Sequence, residues 1–167
     1  QSSSFSALVN VARPQVFCVV SALIMIDSVT VVFSDDSRRD EQLRRLALSQ
    51  FRSQFHLSPA DRGYALEKGE KILRAHAAGF ISTRLAPADI PNDGKQTPMK
   101  GHPVFTAQHA CACCCRGCLE KWHHIPKGRA LTTEEQSDIV ELLLDWIRHD
   151  LTLPSKPKRP SRQAELF

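Results

Sequence analysis

Apolar residues recur at helical spacing through most of the stretch from residue 37 to residue 151, and that pattern predicts about four helices. From Ser37, Leu43, Leu46, Phe51 and Phe55 recur among Arg, Glu and Gln, with acids early in the segment, where the helix dipole favours them. Ser58-Pro59-Ala60-Asp61 reads as a helix start: the serine hydroxyl caps free N–H groups, proline pre-sets the first turn, and the acid faces the positive end. This second helix runs to about Leu85 and carries Ala65, Ile72, Leu73, His76 and Phe80 on one face. Gly63, Gly69 and Gly79 each weaken it by roughly 1 kcal/mol relative to alanine. Thr132 and Glu135 form a capping box ahead of the last helix, whose apolar stripe is Ile139, Val140, Leu143, Trp146, Ile147 and Leu151.

A third helix is expected over residues 105 to 123. On it Cys111, Cys114, Cys115, Cys118 and Trp122 form one stripe, and His109, Cys113, Arg116, Glu120 and His123 form another. Ala86 to Pro103, with four prolines and Asn92-Asp93-Gly94, is a long loop. The expected fold class is therefore mainly α: one small domain, residues 37–151, built around a Cys/His-rich centre. Residues 152–167 turn to Pro, Lys, Ser and Arg and read as a disordered basic tail.

Residues 1–34 read as an extension of uncertain status. Val16 to Ile26 is mostly apolar but too short to span a bilayer, and Ile26 to Phe33 has a weak strand pattern. Met25 is the first residue at which translation could begin. Residues 1–24 are thus either an upstream piece or a genuine strand or anchor.

Composition adds a class and a compartment. With 42% hydrophobic and 24% charged residues the chain suits one soluble globular domain, and its few aromatics argue against a large β-sandwich. The net charge of +4 is unevenly spread, with Lys and Arg gathered near the cysteines and acids gathered on the last helix. Five of the six cysteines lie within eight residues and cannot pair with one another without strain. A reduced, cytoplasmic setting follows.

Four kinds of chemistry fit the cysteine segment. The cysteine stripe reads either as core surface, because free cysteine behaves as a small hydrophobe, or as part of a zinc site. In the zinc reading, Cys115 and Cys118 join His123 and His109, with Cys114 and His102 as alternates. An iron–sulfur cluster ranks lower, since the spacing matches no ferredoxin run. A reactive cysteine activated by Arg116, Lys121 or His123 is the third reading, and an enzyme face of His109, Glu120 and His123 acting as base or metal ligand is the fourth. Arg116, Lys121, Lys127 and Arg129 are the candidate contacts to nucleic acid.

The runs NDGKQTP, GHPVF, AQHA, CCRGCLEKWH and IPKG stand at 92–98, 101–105, 107–110, 114–123 and 125–128. In these runs the chain resembles an uncharacterised bacterial family, the domain of unknown function family numbered forty-one eighty-six, over roughly residues 51 to 151. The resemblance implies a compact domain and supplies no reaction. Cys111 and Cys113 stand where the family pattern has other residues, which favours Cys114, Cys115 and Cys118 as the cysteines with a role. His124 stands where the pattern has glycine.

Gln163-Ala164-Glu165-Leu166-Phe167 resembles the pentapeptide by which bacterial polymerases and repair proteins bind the replication sliding clamp, with Gln163, Leu166 and Phe167 matching. The apolar pair would fill a groove while the glutamine fixes register. Together these features point to a zinc-binding domain in DNA repair or processing, tethered to the sliding clamp. The alternatives are a metal- or cysteine-dependent enzyme acting on nucleic acid or nucleotides, and a structural interaction module with a cysteine-lined core.

Overall fold

A computed structural model describes residues 35–154. The possible strand at Ile26 to Phe33, Cys18, and the terminal Gln163, Leu166 and Phe167 lie outside the described residues. Within them the fold is all helical: α1 (Asp35–Ala47), a 3-10 turn (Arg52–Gln54), α2 (Pro59–Arg84), α3 (Pro103–Ala110), α4 (Arg116–His123) and α5 (Thr133–Thr152).

Helix α5 is the centre of the packing, against α1, α2 and α3. Its capping box forms as the Thr132/Glu135 spacing predicts. Ile139, Val140, Leu143 and Ile147 are buried as expected, and Leu142 and Leu144 are buried as well. A helix with neighbours on three sides has no wide solvent face, so its apolar surface exceeds one stripe. Arg39 of α1 reaches Asp145 at 2.6 Å, and Arg38 reaches Asp138 at 3.2 Å, so ion pairs hold α1 on the acidic side of α5.

Helix α2 begins as predicted, with the Ser58 hydroxyl accepting from the Asp61 N–H at 3.1 Å. It is not continuous: Gly69 has φ 72° and ψ 168°, and this left-handed kink shifts the register of everything after it. Leu73, Ala77 and Ile81 face the core, whereas Ile72, expected on the buried face, is exposed. The first helix likewise ends at Ala47, before Phe51 and Phe55, and Phe51 is exposed.

The largest departure from the sequence pattern is at the cysteines, where residues 105–123 do not form one helix. Helix α3 stops at Ala110, Ala112 takes φ 56°, and the Cys113 N–H bonds back to the Gln108 carbonyl at 2.8 Å. This is the six-to-one closure that ends a helix through a left-handed residue. The Gln108 side chain, itself buried, donates to the Cys113 carbonyl at 3.1 Å and holds the turn from its other side. The cysteine stripe and the His109/Glu120/His123 face both required a single helix, and neither exists.

Helix α4 also ends through a left-handed residue, His124 at φ 58°, with the N–H groups of His124 and Ile125 both on the Leu119 carbonyl, the latter at 3.3 Å. A side chain in this conformation is strained, and glycine is not. His124→Gly is expected to raise the unfolding free energy by about 0.5–1 kcal/mol, read as a higher urea midpoint at unchanged m-value.

Candidate metal centre

The turn after α3 brings Cys114, Cys115 and Cys118 together, their Sγ atoms all within 4.8 Å of one another. Cys115 is the N-cap of α4 and Cys118 lies in its first turn, so a loop and a helix start supply the three sulfurs. The proline-rich loop pins this segment from outside. Asp93 accepts the Arg116 N–H at 2.9 Å, Gln96 donates to the same carboxylate oxygen at 2.9 Å, and the Thr97 hydroxyl donates to the Cys114 carbonyl at 2.9 Å. Burial opposes ionisation of Asp93, but the hydrogen bonds from Gln96, Arg116 and Gly117 outweigh it and lower its pKa.

Arg52, from the 3-10 turn, completes the site. Its buried guanidinium donates to Cys118 Sγ at 3.1 Å, approaches Cys114 Sγ at 3.9 Å, and is anchored on the His109 carbonyl at 2.5 Å. Cys114 donates to Cys118 across 3.5 Å. That hydrogen bond from Cys114 is the largest influence on the Cys118 thiol and, with Cys115 and Arg52 helping against burial, brings its pKa down to about 5. The proton stays on Cys114, whose own pKa rises because it is the donor and because it is buried. Burial also raises Cys115. The cluster therefore sets its most acidified thiol, Cys118, against a guanidinium, with the thiols of Cys114 and Cys115 beside it.

The remaining candidates fall elsewhere. Cys111 and Cys113 are fully buried, and burial pushes both thiols up, so they serve as core. His109 stacks on Phe55 and places Nε2 3.2 Å from the Pro98 carbonyl. His123 places Nε2 2.8 Å from the Cys111 carbonyl. Each ring is thus committed to holding a loop. His102 caps α3, its Nδ1 accepting from the Val104 N–H at 3.1 Å, while Nε2 lies 3.1 Å from His76 Nδ1. Glu120 is exposed and accepts the Lys127 N–H at 3.3 Å.

The candidate nucleic-acid contacts divide as well. Arg116 is buried and spans the carbonyls of Leu85, Pro126 and Arg129 at 3.2, 2.7 and 2.9 Å, so it is a structural clamp with no surface to offer a phosphate. Arg129 is engaged by Glu135 at 2.6 and 2.8 Å. Lys121 and Lys127 remain exposed. Sequence reasoning missed Arg52 entirely, because an arginine among other arginines before a turn carries no local sign of its distant sulfur partners.

A family model described as a domain of unknown function, DUF4186, matches residues 40–148. The chain belongs to the DUF4186 family. The match takes in every element that builds the cysteine cluster, from Arg52 through the loop carrying Asp93 and Thr97 to α4. No solved structure matches this DUF4186 chain.

His102 supplies a check on the loop that flanks the cluster. Burial, with a smaller contribution from His76, lowers its pKa from 6.5 to about 4. The unfolded state therefore binds the proton more readily between those values, so the stability His102 contributes is present above pH 6.5 and is lost as pH falls towards 4. Urea unfolding at pH 7 and pH 5 should differ by on the order of 1 kcal/mol more for the wild type than for His102→Asn, which keeps a capping side chain without the titration.

Proposed function

We propose that this DUF4186 chain is a zinc-binding domain that acts in DNA repair or processing, tethered to the replication sliding clamp by its C-terminal peptide. The observation that carries the metal reading is the Cys114/Cys115/Cys118 cluster with Arg52 against it. Tetrahedral bonds of about 2.3 Å put neighbouring sulfurs about 3.8 Å apart, inside the span these three already occupy. A divalent ion on three thiolates leaves one net negative charge in a half-buried place, and the Arg52 guanidinium supplies the opposite charge at Cys118. Loading displaces the protons of Cys114 and Cys115, since only thiolates ligate.

Protein purified without chelator should carry about one zinc per chain by elemental analysis. Cys118→Ser should lower that at least tenfold, and Cys113→Ala should leave it unchanged. A zinc-free wild type, or a Cys118→Ser variant that still loads, overturns the metal reading.

Support for the tether is the sequence of Gln163, Leu166 and Phe167, preceded by a proline-rich basic stretch. Deleting residues 163–167 should abolish binding to immobilised clamp while leaving zinc content intact. Equal binding by both chains, or none by the full chain, ends the clamp reading alone.

A further inference from the structure

On another side of the helical core lies a cleft of about 750 Å³ between the starts of α2 and α3. This volume is in the range of small-molecule sites. Phe55, His56, Asp61, Tyr64, Lys100 and His102 are among its lining residues. We propose that this cleft is a hydrolytic site for small carboxylic esters in which His56, oriented by the buried Asp150, is the general base.

The arrangement of His56 and Asp150 carries the inference. Asp150 is 2% exposed and accepts three hydrogen bonds from two groups besides the imidazole: the Leu57 N–H at 3.0 Å and Arg62 Nη1 at 3.2 Å on its carboxylate, and the same Arg62 Nη1 at 2.6 Å on its backbone carbonyl. A carboxylate so held accepts from His56 Nδ1 at 2.8 Å. Nδ1 then carries the proton, and the neutral ring keeps its lone pair on Nε2. Nε2 has no hydrogen-bond partner among the described residues, and the ring stands between this cleft and a second cavity that Asp150 also lines. A base oriented by a third group and left free on its working edge is the geometry that general-base catalysis requires.

His102 cannot substitute for it. Its Nδ1 accepts from the Val104 N–H, and its Nε2 is taken up by His76, so both nitrogens are occupied.

The step balances with water as the only co-reactant. His56 Nε2 takes a proton from water as the water oxygen bonds to the ester carbonyl carbon, and the carbonyl π pair moves to oxygen. The intermediate collapses, the bond to the alkoxy oxygen breaks, and that oxygen leaves with the proton returned from Nε2. Lys100 lines the same cleft, and its charge favours the oxyanion that develops. The rings of Phe55 and Tyr64 suit an aryl or other flat apolar group.

The test uses the full chain with p-nitrophenyl acetate as probe, following nitrophenolate release beside free imidazole at equal concentration. The expected result is turnover that saturates with probe and exceeds imidazole, with kcat lowered at least tenfold in His56→Gln and in Asp150→Asn. His124→Gln, which removes an exposed histidine elsewhere, should match the wild type. Circular dichroism and urea midpoints identify variants that fail to fold, and in that case Lys100→Met, which the helical core does not need, should lower kcat several-fold. Rates no greater than imidazole, a folded His56→Gln with wild-type kcat, or an unchanged Lys100→Met overturns the proposal. Rates are read after any stoichiometric burst, so that acylation of a metal-free Cys118 thiolate is not counted as turnover.

Discussion

Gln108 holds both polar groups of the Cys113 backbone, its carbonyl accepting the N–H and its side chain donating to the C=O. Much of the structure around the cysteines depends on that pair of bonds. They close α3 through the left-handed Ala112 and reverse what would otherwise be a continuous helix. On a continuous helix, Cys114 and Cys115 would sit a full residue rotation apart, and Cys118 one turn further on. With the helix ended, the chain enters α4 afresh at Cys115, and the three sulfurs close to within 4.8 Å. A buried backbone N–H or C=O left without a partner costs more than the net gain of an ordinary hydrogen bond. Gln108, 1% exposed, can hold this turn inside the core because it satisfies both.

Buried and half-buried arginines extend the same logic outward. Arg116 gathers carbonyls from the end of α2, the turn after α4 and the strand of chain leading to α5. Arg62 gathers carbonyls at the end of α5, and Arg52 takes the His109 carbonyl where α3 finishes. Each guanidinium offers several donors in a fixed plane, which suits helix ends with unpaired carbonyls. In a domain of short helices joined by irregular turns, such clamps do the work that longer regular elements would otherwise do. They also place charge in the interior. At Cys118 and at Asp150 that charge meets an acidic partner, from the buried Arg52 at the first and the half-buried Arg62 at the second.

The cysteine cluster and the His56/Asp150 cleft are separate arrangements that share a frame. Arg52 and His56 lie four residues apart on the short connection between α1 and α2, one directed to sulfur and the other to a carboxylate on α5. The 3-10 turn is therefore more than a linker. It packs against α1 and α3, while His56 just beyond it reaches α5.

The sequence by itself determined the helical class, the caps at Ser58 and Thr132, the stripe on α5, and the identity of the cysteine-bearing segment. Those features rest on interactions between residues within a few positions of one another, and such interactions leave a periodic trace. The family-like runs also singled out Cys114, Cys115 and Cys118 over Cys111 and Cys113. The tertiary structure decided where the helices break and what the polar residues touch. Ala112 and His124 carry left-handed turns that glycine would have announced, and Gly69 breaks a helix that the apolar spacing continued. Arg116 looked like a surface cation and is a core clamp; Arg52 and Asp150 looked unremarkable and hold the two candidate sites. Their partners lie tens of residues away in the chain, so only the folded packing brings them within reach.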